Sequence, residues 1–572
     1  MSRYLVTSAL PYANGPIHFG HAVGAYLPAD VYVRTLRMLG EDVLFVCGSD
    51  EYGTSITIGA DKAEKSYPDY VAGWRDEIKK LFDNLGIEFD IWSGTSISPH
   101  HPEMSQTFFR RLDEGGYLLR QTEDQFYCTT DERFLADRFV TGTCYVCGYE
   151  HARGDECPKC GTWLEALRLS EPRCKLCGNE PEQRATTHWY LDLPKIRDEH
   201  IGAWFEGKKW KPNVEAFVRA QLADLKPRPI TRDLSWCVPV PEDLAHGEEG
   251  KVLYVWFDAP IGYISFSREW ADKTGEPDAW KRYWCQEDTK LVHFIGKDNI
   301  PFHCLIFPSM LYGQKQDFVL PDNVPANEFL NLQGRKFNTS ERWTIPLEEF
   351  FGKYDNETAR FYLLANMPES SDSEWRWEDY QSCVNASLAD TIGNLVTRVL
   401  RFAAKHWDGK IPPLAEEHRE ELDRVILQEC GEVKDPASSV REYRFRRACE
   451  ELVANAACAN VFIDKNAPWA LRKEDPERAG SVLNTAAEWI GWIARWMAPF
   501  MPEKAQAIWG MLGQEGKVAE LGWPGVPEAG SWRRLKGGTP LGDVQGLFQK
   551  LADDEIAGEI QALHDRSANP QA

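Results

Sequence analysis

The first 48 residues alternate a buried strand, a helix and a second strand. Residues 4–8 (YLVTS) predict a short buried strand, and the turn formers of PYANGP follow at 11–16. A helical pattern then runs from about Gly20 to Met38 and stops at Gly40, and VLFVCG (43–48) predicts the next strand. Strand, helix and strand within about 45 residues make a βαβ unit. Because strands joined by a crossover helix run parallel, the sequence predicts an α/β fold with a parallel sheet.

A matching half of the sheet is predicted later in the chain. YVWFDAPIGY (254–263) and LVHFIGKD (291–298) are strand-like, and PFHCLIFPSML (301–311) predicts a helix. Between the halves, residues from about 116 to 235 hold seven of the 15 cysteines in short segments rich in Gly, Pro and charge, which indicates an insertion stabilised by metal.

The remainder of the chain has a helical pattern. Few strands are predicted after about residue 356, and residues 514–540 are rich in Gly and Pro, which predicts a surface crossing or linker. The tail from about residue 541 (LFQKLADDEIAGEIQALH) again has a helical pattern.

Charge and hydropathy argue against several classes of function. The chain has 65 basic and 88 acidic residues and a net charge of −23, which argues against a general polyanion or membrane-surface binder but allows RNA binding through a local basic face. No run of ~18 apolar residues occurs, and Pro11 comes too early for the apolar core of a signal peptide. We therefore expect a cytoplasmic protein without a membrane span, with mostly reduced cysteines whose clusters bind metal.

One cysteine cluster has the spacing of a zinc site. Cys144-x2-Cys147 and Cys157-x2-Cys160 form two knuckles, and Gly148 and Gly161 follow them where a tight turn needs a permissive backbone. Four thiolates can surround Zn²⁺ tetrahedrally at ~2.3 Å. Because no coordination position stays open, this zinc is expected to be structural; the alternative is a loop of free thiols.

A third pair, Cys174-x2-Cys177, has no fourth pair after it. Its partners are predicted upstream, in Cys128 and Asp131, since aspartate also ligates zinc. This set predicts a second zinc site, and the alternative is an empty knuckle.

Two short segments have the composition of a phosphate site. His18-Phe19-Gly20-His21 lies at the start of the first helix, where free N–H groups and the helix dipole attract anions. The two histidines are three residues apart, so both can face one side, and Gly20 allows close approach of a ligand. A metal pair is the alternative, but no carboxylate has suitable spacing.

The second segment is Gly334-Arg335-Lys336-Phe337-Asn338-Thr339-Ser340, which follows the second half of the sheet. Its glycine would let it move, and a mobile lysine could stabilise charge on a transferring phosphoryl group. An ordinary solvated surface loop is the alternative for this segment alone.

The motifs together resemble a known family. ALPYANGPIHFGH, GSDEYGT, YVWFDAPIGY, HFIGKDNIPFH, GRKFNTS and NAPW occur in the order found in the methionyl-tRNA synthetase family, with the cysteine cluster at the position of its connective insertion. The resemblance covers residues 1 to about 540. It implies a class I synthetase with a Rossmann-like parallel-sheet catalytic domain, split by a zinc-knuckle insertion and followed by an α-helical anticodon-binding bundle.

The domain limits that follow are these: 1–115 and 236–330 for the catalytic halves, 116–235 for the insertion, 331–385 for the loop and stem-contact region, 386–540 for the anticodon domain and 541–572 for the tail.

The resemblance implies how ATP is bound. His18, Gly20 and His21 match the HIGH motif, and residues 336–340 match the KMSKS loop, with Lys336 as its first lysine. The fourth position is Thr339 rather than lysine, which leaves open whether Arg335 or Arg342 supplies the missing charge. The other implied ATP ligands are Gly296, Lys297 and Asp298, and Mg²⁺ is expected with ATP.

The resemblance also implies the methionine pocket. Asp50 matches the carboxylate that pairs with the substrate ammonium, and aromatic walls suit a polarizable thioether. The alternative for the aromatic residues is an ordinary core. The implied pocket residues are Ala9, Leu10, Tyr12, Asp50, Trp256, Ala259, Pro260, Tyr263 and His303.

Isoleucine and valine enzymes of this class carry a large editing domain because one pocket rejects isosteres only ~10–200-fold. An insertion of about 120 residues rich in cysteine knuckles leaves too little room for such a domain, which favours methionine.

The helical part contains the implied anticodon readers. Leu388, Ile392, Leu395, Val399 and Phe402 form an apolar stripe, whereas Asn394 and Arg398 lie off it, one turn apart. These two match the family's anticodon-reading pair, and Trp469 matches its stacking tryptophan, with a buried helix-start aromatic as the alternative. No oligonucleotide-binding appendage follows, so we expect a monomer.

The function implied is therefore a methionine–tRNA ligase for both initiator and elongator tRNA. The alternatives are a catalytically inactive, zinc-containing tRNA-binding relative, which Thr339 favours, and another class I ligase such as one for cysteine.

Overall fold

A computed structural model describes residues 2–135, 139–154, 157–160, 162, 164–248, 250–339, 341–431, 433–528 and 532–568. Gly161 and Ser340, assigned above to a knuckle turn and to the KMSKS-like loop, lie outside these residues.

A parallel sheet forms the centre of the catalytic part, as predicted. Its strands are almost fully buried because helices cover both faces, which explains their nearly continuous apolar runs. The strand order across the sheet is Pro321–Asn323, Thr289–Gly296, Arg3–Ser8, Asp42–Ser49 and Ile91–Gly94, with Ala326–Asn327 pairing with the end of Thr289–Gly296.

The strand order reverses direction between the two halves. From Arg3–Ser8 the first half extends to one side, while Thr289–Gly296 begins the extension to the other. The carboxyl ends of these two neighbouring strands therefore form a switch point, where open α/β sheets bind their ligands.

The first predicted helix is confirmed over residues 19–38. It is continuous, with a π-helical turn at Ala22–Tyr26, and the chain leaves it through Gly40, whose φ is +82°. The other helices of the first half are Thr54–Lys62, Tyr67–Asn84 and His101–Glu114.

One predicted strand is wrong. Residues 255–263 are helical: Val255–Asp258 is followed by a 3₁₀ turn, Ala259–Ile261, and by the helix Gly262–Thr274. The segment is apolar because it is buried on several sides, and a short apolar run does not distinguish a strand from a buried helix. The predicted strand at 291–298 and helix at 301–311 are found as Thr289–Gly296 and as helical residues 302–313.

The insertion consists of small antiparallel sheets. One has the order Arg228–Pro229, Glu182–Leu191, Leu118–Cys128 and Arg133–Phe134, and the other has the order Ala152–Arg153, Val140–Thr143 and Ser170–Cys174. The cysteine-bearing part has a small core of its own, separate from that of the central sheet. Its helices are Leu193–Ile196, Arg197–Ile201 (π), Gly202–Glu206 and Pro212–Ala223, and a strand pair, Thr231–Asp233 with Lys251–Leu253, leads back to the catalytic part.

Most of the described chain after the sheet is helical, as predicted. A small sheet of Leu330–Leu332, Arg335–Lys336 and Ser373–Trp375 comes first. The helices are Leu347–Lys353, Asn356–Ala365, Trp377–Ser382, Cys383–Gly393 (π), Asn394–His406, Glu416–Cys430, Pro436–Arg441, Phe445–Asn466, Pro468–Leu471, Pro476–Met497, Pro502–Met511 and Asp553–Ala568.

The tail helix begins later than predicted. Residues 541–552 run without helix, and near the end of this stretch the backbone N–H and C=O of Leu551 bond the side chain of Asn385 at 2.9 Å each. The predicted crossing at 514–540 is also more deeply packed than expected, since Trp532 is buried against Trp489 and Trp492.

Thirteen cysteines are free, and Cys430 forms a disulfide with Cys458. Within the described residues, no helix is long and apolar enough to cross a membrane.

Candidate functional site

The switch point of the sheet brings the first strand, the first helix and the KMSKS-like hairpin together. Ala9, which follows the first strand, donates its backbone N–H to the Phe294 carbonyl at 2.9 Å. The helix that begins at Phe19 places its N-terminus at this edge. A helix N-terminus at the carboxyl edge of a parallel sheet is suited to binding phosphate.

His18 and His21 cap the helix reciprocally. His18 Nδ1 accepts the backbone N–H of Gly20, and His21 Nδ1 accepts that of His18, both at 3.1 Å. An Nδ1 that accepts must carry a lone pair, so the remaining ring proton of a neutral imidazole is on Nε2. Burial and the neighbouring His21 lower the pKa of His18 well below its usual value, which favours this neutral form. The spacing of three residues therefore orients two Nε2–H donors.

Gly20 has a role in addition to the predicted one. A Cβ at this position would lie 2.8 Å from Cε1 of the His18 ring, so the glycine makes room for that ring. The absence of a side chain thus serves the capping geometry rather than only the approach of a ligand.

The KMSKS-like segment packs directly on the histidine motif. Gln333 and Gly334 have φ values of 45° and 79° and form the turn of a hairpin. Phe337 then stacks on His18, with ring centroids 4.4 Å apart and an angle of 10° between the planes. Lys336 is exposed, with its ammonium 5.4 Å above the Phe329 ring.

Arg335 is engaged within the hairpin region. Its guanidinium pairs with Glu341 at 2.7 Å and lies 4.4 Å above the Trp343 ring. Thr339 is exposed, and its carbonyl accepts the backbone N–H of Arg342 at 3.2 Å. The charge of Arg335 is therefore already balanced by a carboxylate.

Gly296 ends the strand Thr289–Gly296 at the switch point, and Asp298 is exposed just beyond it. Lys297 pairs with Glu328 at 2.7 Å and with Asp372 at 3.0 Å. To bind ATP, Lys297 would have to leave or share these carboxylates.

Asp50 lies at the end of the second strand, beside the first. Its backbone N–H donates to Pro11 and its carbonyl accepts from Ala13, both at 2.9 Å. The Asp50 side chain is buried, and Oδ1 accepts the Tyr52 backbone N–H at 3.4 Å. Burial, followed by the charge of Asp258, raises the pKa of Asp50 well above its usual value. A cation bound beside this carboxylate would lower its pKa and stabilise its charge.

Among the predicted pocket residues, His303 is fixed by hydrogen bonds at both ring nitrogens. His303 Nδ1–H donates to the Asn299 carbonyl at 3.1 Å, which leaves Nε2 to accept the Tyr263 hydroxyl at 2.8 Å. Burial lowers the pKa of His303 to about 4, so the ring is neutral. The other predicted residues Ala9, Ala259 and Pro260 are buried, whereas Leu10, Tyr12 and Trp256 are half-buried.

Three features of this region were missed by the sequence analysis. Phe302 stacks on Trp256 at 4.0 Å and 10°, His293 faces Thr7 across the two central strands, and Asp258 pairs with His101. His101 and Asp258 are 157 positions apart in sequence, so no local pattern relates them. Phe302, in contrast, lies within the quoted motif HFIGKDNIPFH.

Two clusters could hold a metal ion. The sulfurs of Cys144, Cys147, Cys157 and Cys160 all lie within 4.8 Å of one another. The turn after Cys147 uses Gly148 with φ of +73°, as its predicted role requires. Four convergent thiols fit tetrahedral coordination of a soft or borderline cation such as Zn²⁺.

The second cluster consists of Cys128, Asp131, Cys174 and Cys177, again within 4.8 Å. Oδ2 of Asp131 lies 3.1 Å from the Cys128 sulfur and 3.0 Å from the Cys174 sulfur. The carboxylate therefore occupies the position of a fourth ligand, and the residues fit a second metal.

The three predicted anticodon readers lie close together. The Arg398 guanidinium is 4.4 Å above the ring of Trp469 and pairs with Asp464. Trp469 is half-buried, and Asn394 is exposed one turn before Arg398. An exposed amide, a guanidinium and an accessible aromatic ring are groups that read unpaired bases.

Comparisons with known proteins identify relatives of this chain. The profile of the family described as "tRNA synthetases class I (M)" matches residues 4–400, and that of the "Anticodon binding domain of methionyl tRNA ligase" matches residues 413–564. The methionine–tRNA ligase of Salinibacter ruber is 44% identical over 99% of this chain and 82% of its own length, and that of Rubrobacter xylanophilus is 43% identical over 98% and 97%. The structure of Mycobacterium tuberculosis methionyl-tRNA synthetase in complex with methionyl-adenylate aligns with a TM-score of 0.76 and 25% identity, over 96% of this chain and all of that one.

Proposed function

Because the chain belongs to the methionine-type class I tRNA synthetases, we propose that it is a methionine–tRNA ligase. It activates L-methionine with ATP to methionyl-adenylate and pyrophosphate, and then transfers methionine to the 3′-terminal adenosine of tRNA(Met), the initiator included. The observation that carries this proposal is the reciprocal capping of His18 and His21 at the switch point of the sheet.

The phosphate chemistry follows from the fixed tautomers. With both Nδ1 atoms engaged, His18 and His21 direct neutral Nε2–H donors toward ATP, where they stabilise negative charge as it builds at the α-phosphate. Lys336 moves from the face of Phe329 to the phosphates when ATP binds. Gly20 keeps the backbone clear, and Thr339 lies in the same loop.

The adenosine is held at the end of the strand Thr289–Gly296. Gly296 lets the ribose approach the backbone, and the Asp298 carboxylate accepts hydrogen bonds from ribose hydroxyls. Lys297 stabilises this edge through Glu328 and Asp372. Mg²⁺ bound with ATP would add positive charge at the phosphates.

The amino acid lies between the first strand and the helices that follow residue 254. The Asp50 carboxylate binds the ammonium group, because Glu51, also buried, already pairs with Arg75 at 2.6 Å. The thioether packs among aromatic rings. The remaining proposed pocket residues are Ala9, Leu10, Tyr12, Trp256, Ala259, Pro260, Tyr263 and His303.

We assign zinc to both cysteine clusters, with a structural role. Closed sets of four protein ligands leave no position for a substrate, which separates this chain from a ligase that binds a substrate thiol at zinc. We also retain the domain limits given in the sequence analysis, and a monomeric state.

The test is amino-acid-dependent ATP–pyrophosphate exchange without tRNA, with methionine, cysteine, leucine, isoleucine and valine compared. We expect exchange with methionine alone. Absence of exchange with all five, from folded and zinc-loaded protein, would instead support the catalytically inactive tRNA-binding relative.

The proposed anticodon readers have a separate test. Trp469→Ala removes the ring beneath Arg398, so it should raise the KM for tRNA by about tenfold or more while pyrophosphate exchange stays unchanged. Trp407→Phe, at a partly buried position near Phe402, serves as a control for aromatic packing. Equal loss of both activities in Trp469→Ala would mean that Trp469 is a core residue.

A further inference from the structure

A buried acid–histidine pair lies behind the proposed amino-acid pocket. Asp258 is fully buried at the end of the helix Val255–Asp258. Its Oδ1 lies 2.9 Å from Nε2 of His101 and accepts the hydroxyl of Ser105 at 3.0 Å. Nδ1 of His101 is in turn 3.1 Å from the hydroxyl of Ser265. The carboxylate is therefore fixed in position by groups from a neighbouring helix.

The second oxygen of this carboxylate is not satisfied in the same way. Oδ2 of Asp258 is buried and has no hydrogen-bond partner within the described residues. A buried charged oxygen is costly unless a donor or a cation lies near it. Asp258 is two positions after Trp256 and directly before Ala259, both proposed pocket residues, so the ammonium group of a bound amino acid can supply such a cation.

Asp258 is also linked to Asp50 electrostatically and through packing. The Tyr52 ring faces the His101 ring, with centroids 6.3 Å apart and an angle of 20° between the planes, and the Tyr52 backbone N–H donates to Asp50. The negative charge of Asp258 adds to burial in raising the pKa of both Asp50 and Tyr52. Glu51, in contrast, has its charge balanced by an arginine. The Asp50–Asp258 pair thus leaves a negative potential that a cation in the pocket would relieve.

We propose that Asp258, held by His101, is a second acidic determinant of the amino-group site and selects methionine in its ammonium form. The inference rests on the proposed function, in which Asp50 contacts the ammonium. Asp258 is a positioning residue: it acts through its charge and through its fixed place beside the pocket wall, not by taking part in the reaction.

The test compares two probes that differ only in the amino group, L-methioninol and 4-(methylthio)butan-1-ol. Their dissociation constants are measured by calorimetry on the full chain, so the readout does not require activity. In the wild type we expect a strong preference for methioninol. Asp258→Asn keeps the size of the side chain but removes its charge, and we expect it to reduce this preference about tenfold, while the affinity for 4-(methylthio)butan-1-ol and the KM for ATP stay unchanged.

Three further variants separate charge from packing. Asp258→Glu keeps the charge and disturbs the packing, so it should weaken both probes and keep the preference. Ser105→Ala removes a neutral donor and should also keep it. His101→Leu removes the group that holds the carboxylate in place, so it should reduce the preference as Asp258→Asn does. It serves as the second route if Asp258→Asn does not fold.

The outcomes distinguish this inference from the function on which it rests. A wild-type protein with no preference for methioninol would contradict the proposed ammonium site itself. A preference that is lost in Asp50→Asn but intact in both Asp258→Asn and His101→Leu would overturn the role of Asp258 alone. Equal weakening of both probes in Asp258→Asn would likewise overturn it, since that is the result of packing without electrostatics.

Discussion

One backbone hydrogen bond to each motif histidine determines which ring nitrogen can donate to a ligand. Because each Nδ1 accepts a backbone N–H, each neutral ring has its proton on Nε2. Phe337 holds the plane of His18 from one side. The pair is therefore oriented before ATP arrives, which is the arrangement that lowers the cost of stabilising charge in a transition state.

His21→Ala should slow adenylate formation by about 10²–10³-fold in kcat, because it removes one fixed donor from the developing charge. His21→Gln keeps an N–H near the place of Nε2 and should retain part of the rate. Pyrophosphate exchange and circular dichroism measured together separate a chemical loss from a folding loss. Nearly wild-type exchange in His21→Ala would contradict the phosphate role.

At this scale, sequence motifs identify groups but not their partners. The residues of the histidine motif and of the KMSKS-like loop are recognisable because each lies in one short segment. The Asp258–His101 pair was missed because it joins two helices 157 positions apart. The interpretation of Gly20 was incomplete for the same reason: the sequence does not show that the His18 ring occupies the space of its absent side chain.

Elements differ in how well their sequences define them. The helix 19–38 and the two central strands have clear patterns and a terminating glycine, and all were predicted. Residues 254–263 were not, since a buried helical segment and a buried strand have the same apolar run. The cysteine knuckles, in contrast, were predicted from the spacing of their ligands. This is possible because metal geometry rather than a large core determines the positions of those ligands.

The insertion yields a prediction about metal content. Asp131→Ala removes the one carboxylate ligand of the second cluster, so purified protein should fall from two zinc ions per chain to about one. Asp131→Cys completes a four-cysteine set and should keep two. Plasma emission spectrometry against protein concentration measures both.

Cys144→Ser is the matched change in the first cluster and should likewise lower the zinc content. A wild-type content of one zinc that Asp131→Ala leaves unchanged would show that the second cluster is an empty knuckle.

At the scale of the whole molecule, Arg360 joins segments that are distant in sequence. Its fully buried guanidinium pairs with Asp30 of the first helix. It also donates to three backbone carbonyls at 2.8–2.9 Å, those of Leu85, Pro499 and Phe500. Although burial opposes ionisation, Arg34 and Arg360 lower the pKa of Asp30, so the acid stays charged. The catalytic part and the end of the helix Pro476–Met497 are thereby held by one side chain.

The sequence did not indicate this connection, because an arginine in a helical segment is ordinarily at the surface. Its burial is determined by tertiary packing: the carbonyls of Pro499 and Phe500, in the turn after one helix, and that of Leu85, at the end of another, need donors where water is excluded.

Arg360→Met should therefore lower the free energy of unfolding by ~3–5 kcal/mol, because it leaves a buried carboxylate and three carbonyls with fewer donors. Urea titrations followed by tryptophan fluorescence measure the change. Arg376→Met, which removes an exposed pair with Glu374, is the control and should cost less than about 0.5 kcal/mol. In the double variant Asp30→Asn/Arg360→Met the carboxylate charge that has lost Arg360 and keeps only Arg34 is absent, so its cost should be smaller than the sum of the single costs. Additive costs would mean that Arg360 acts through its packing and its bonds to the backbone carbonyls, and that its ion pair with Asp30 adds nothing.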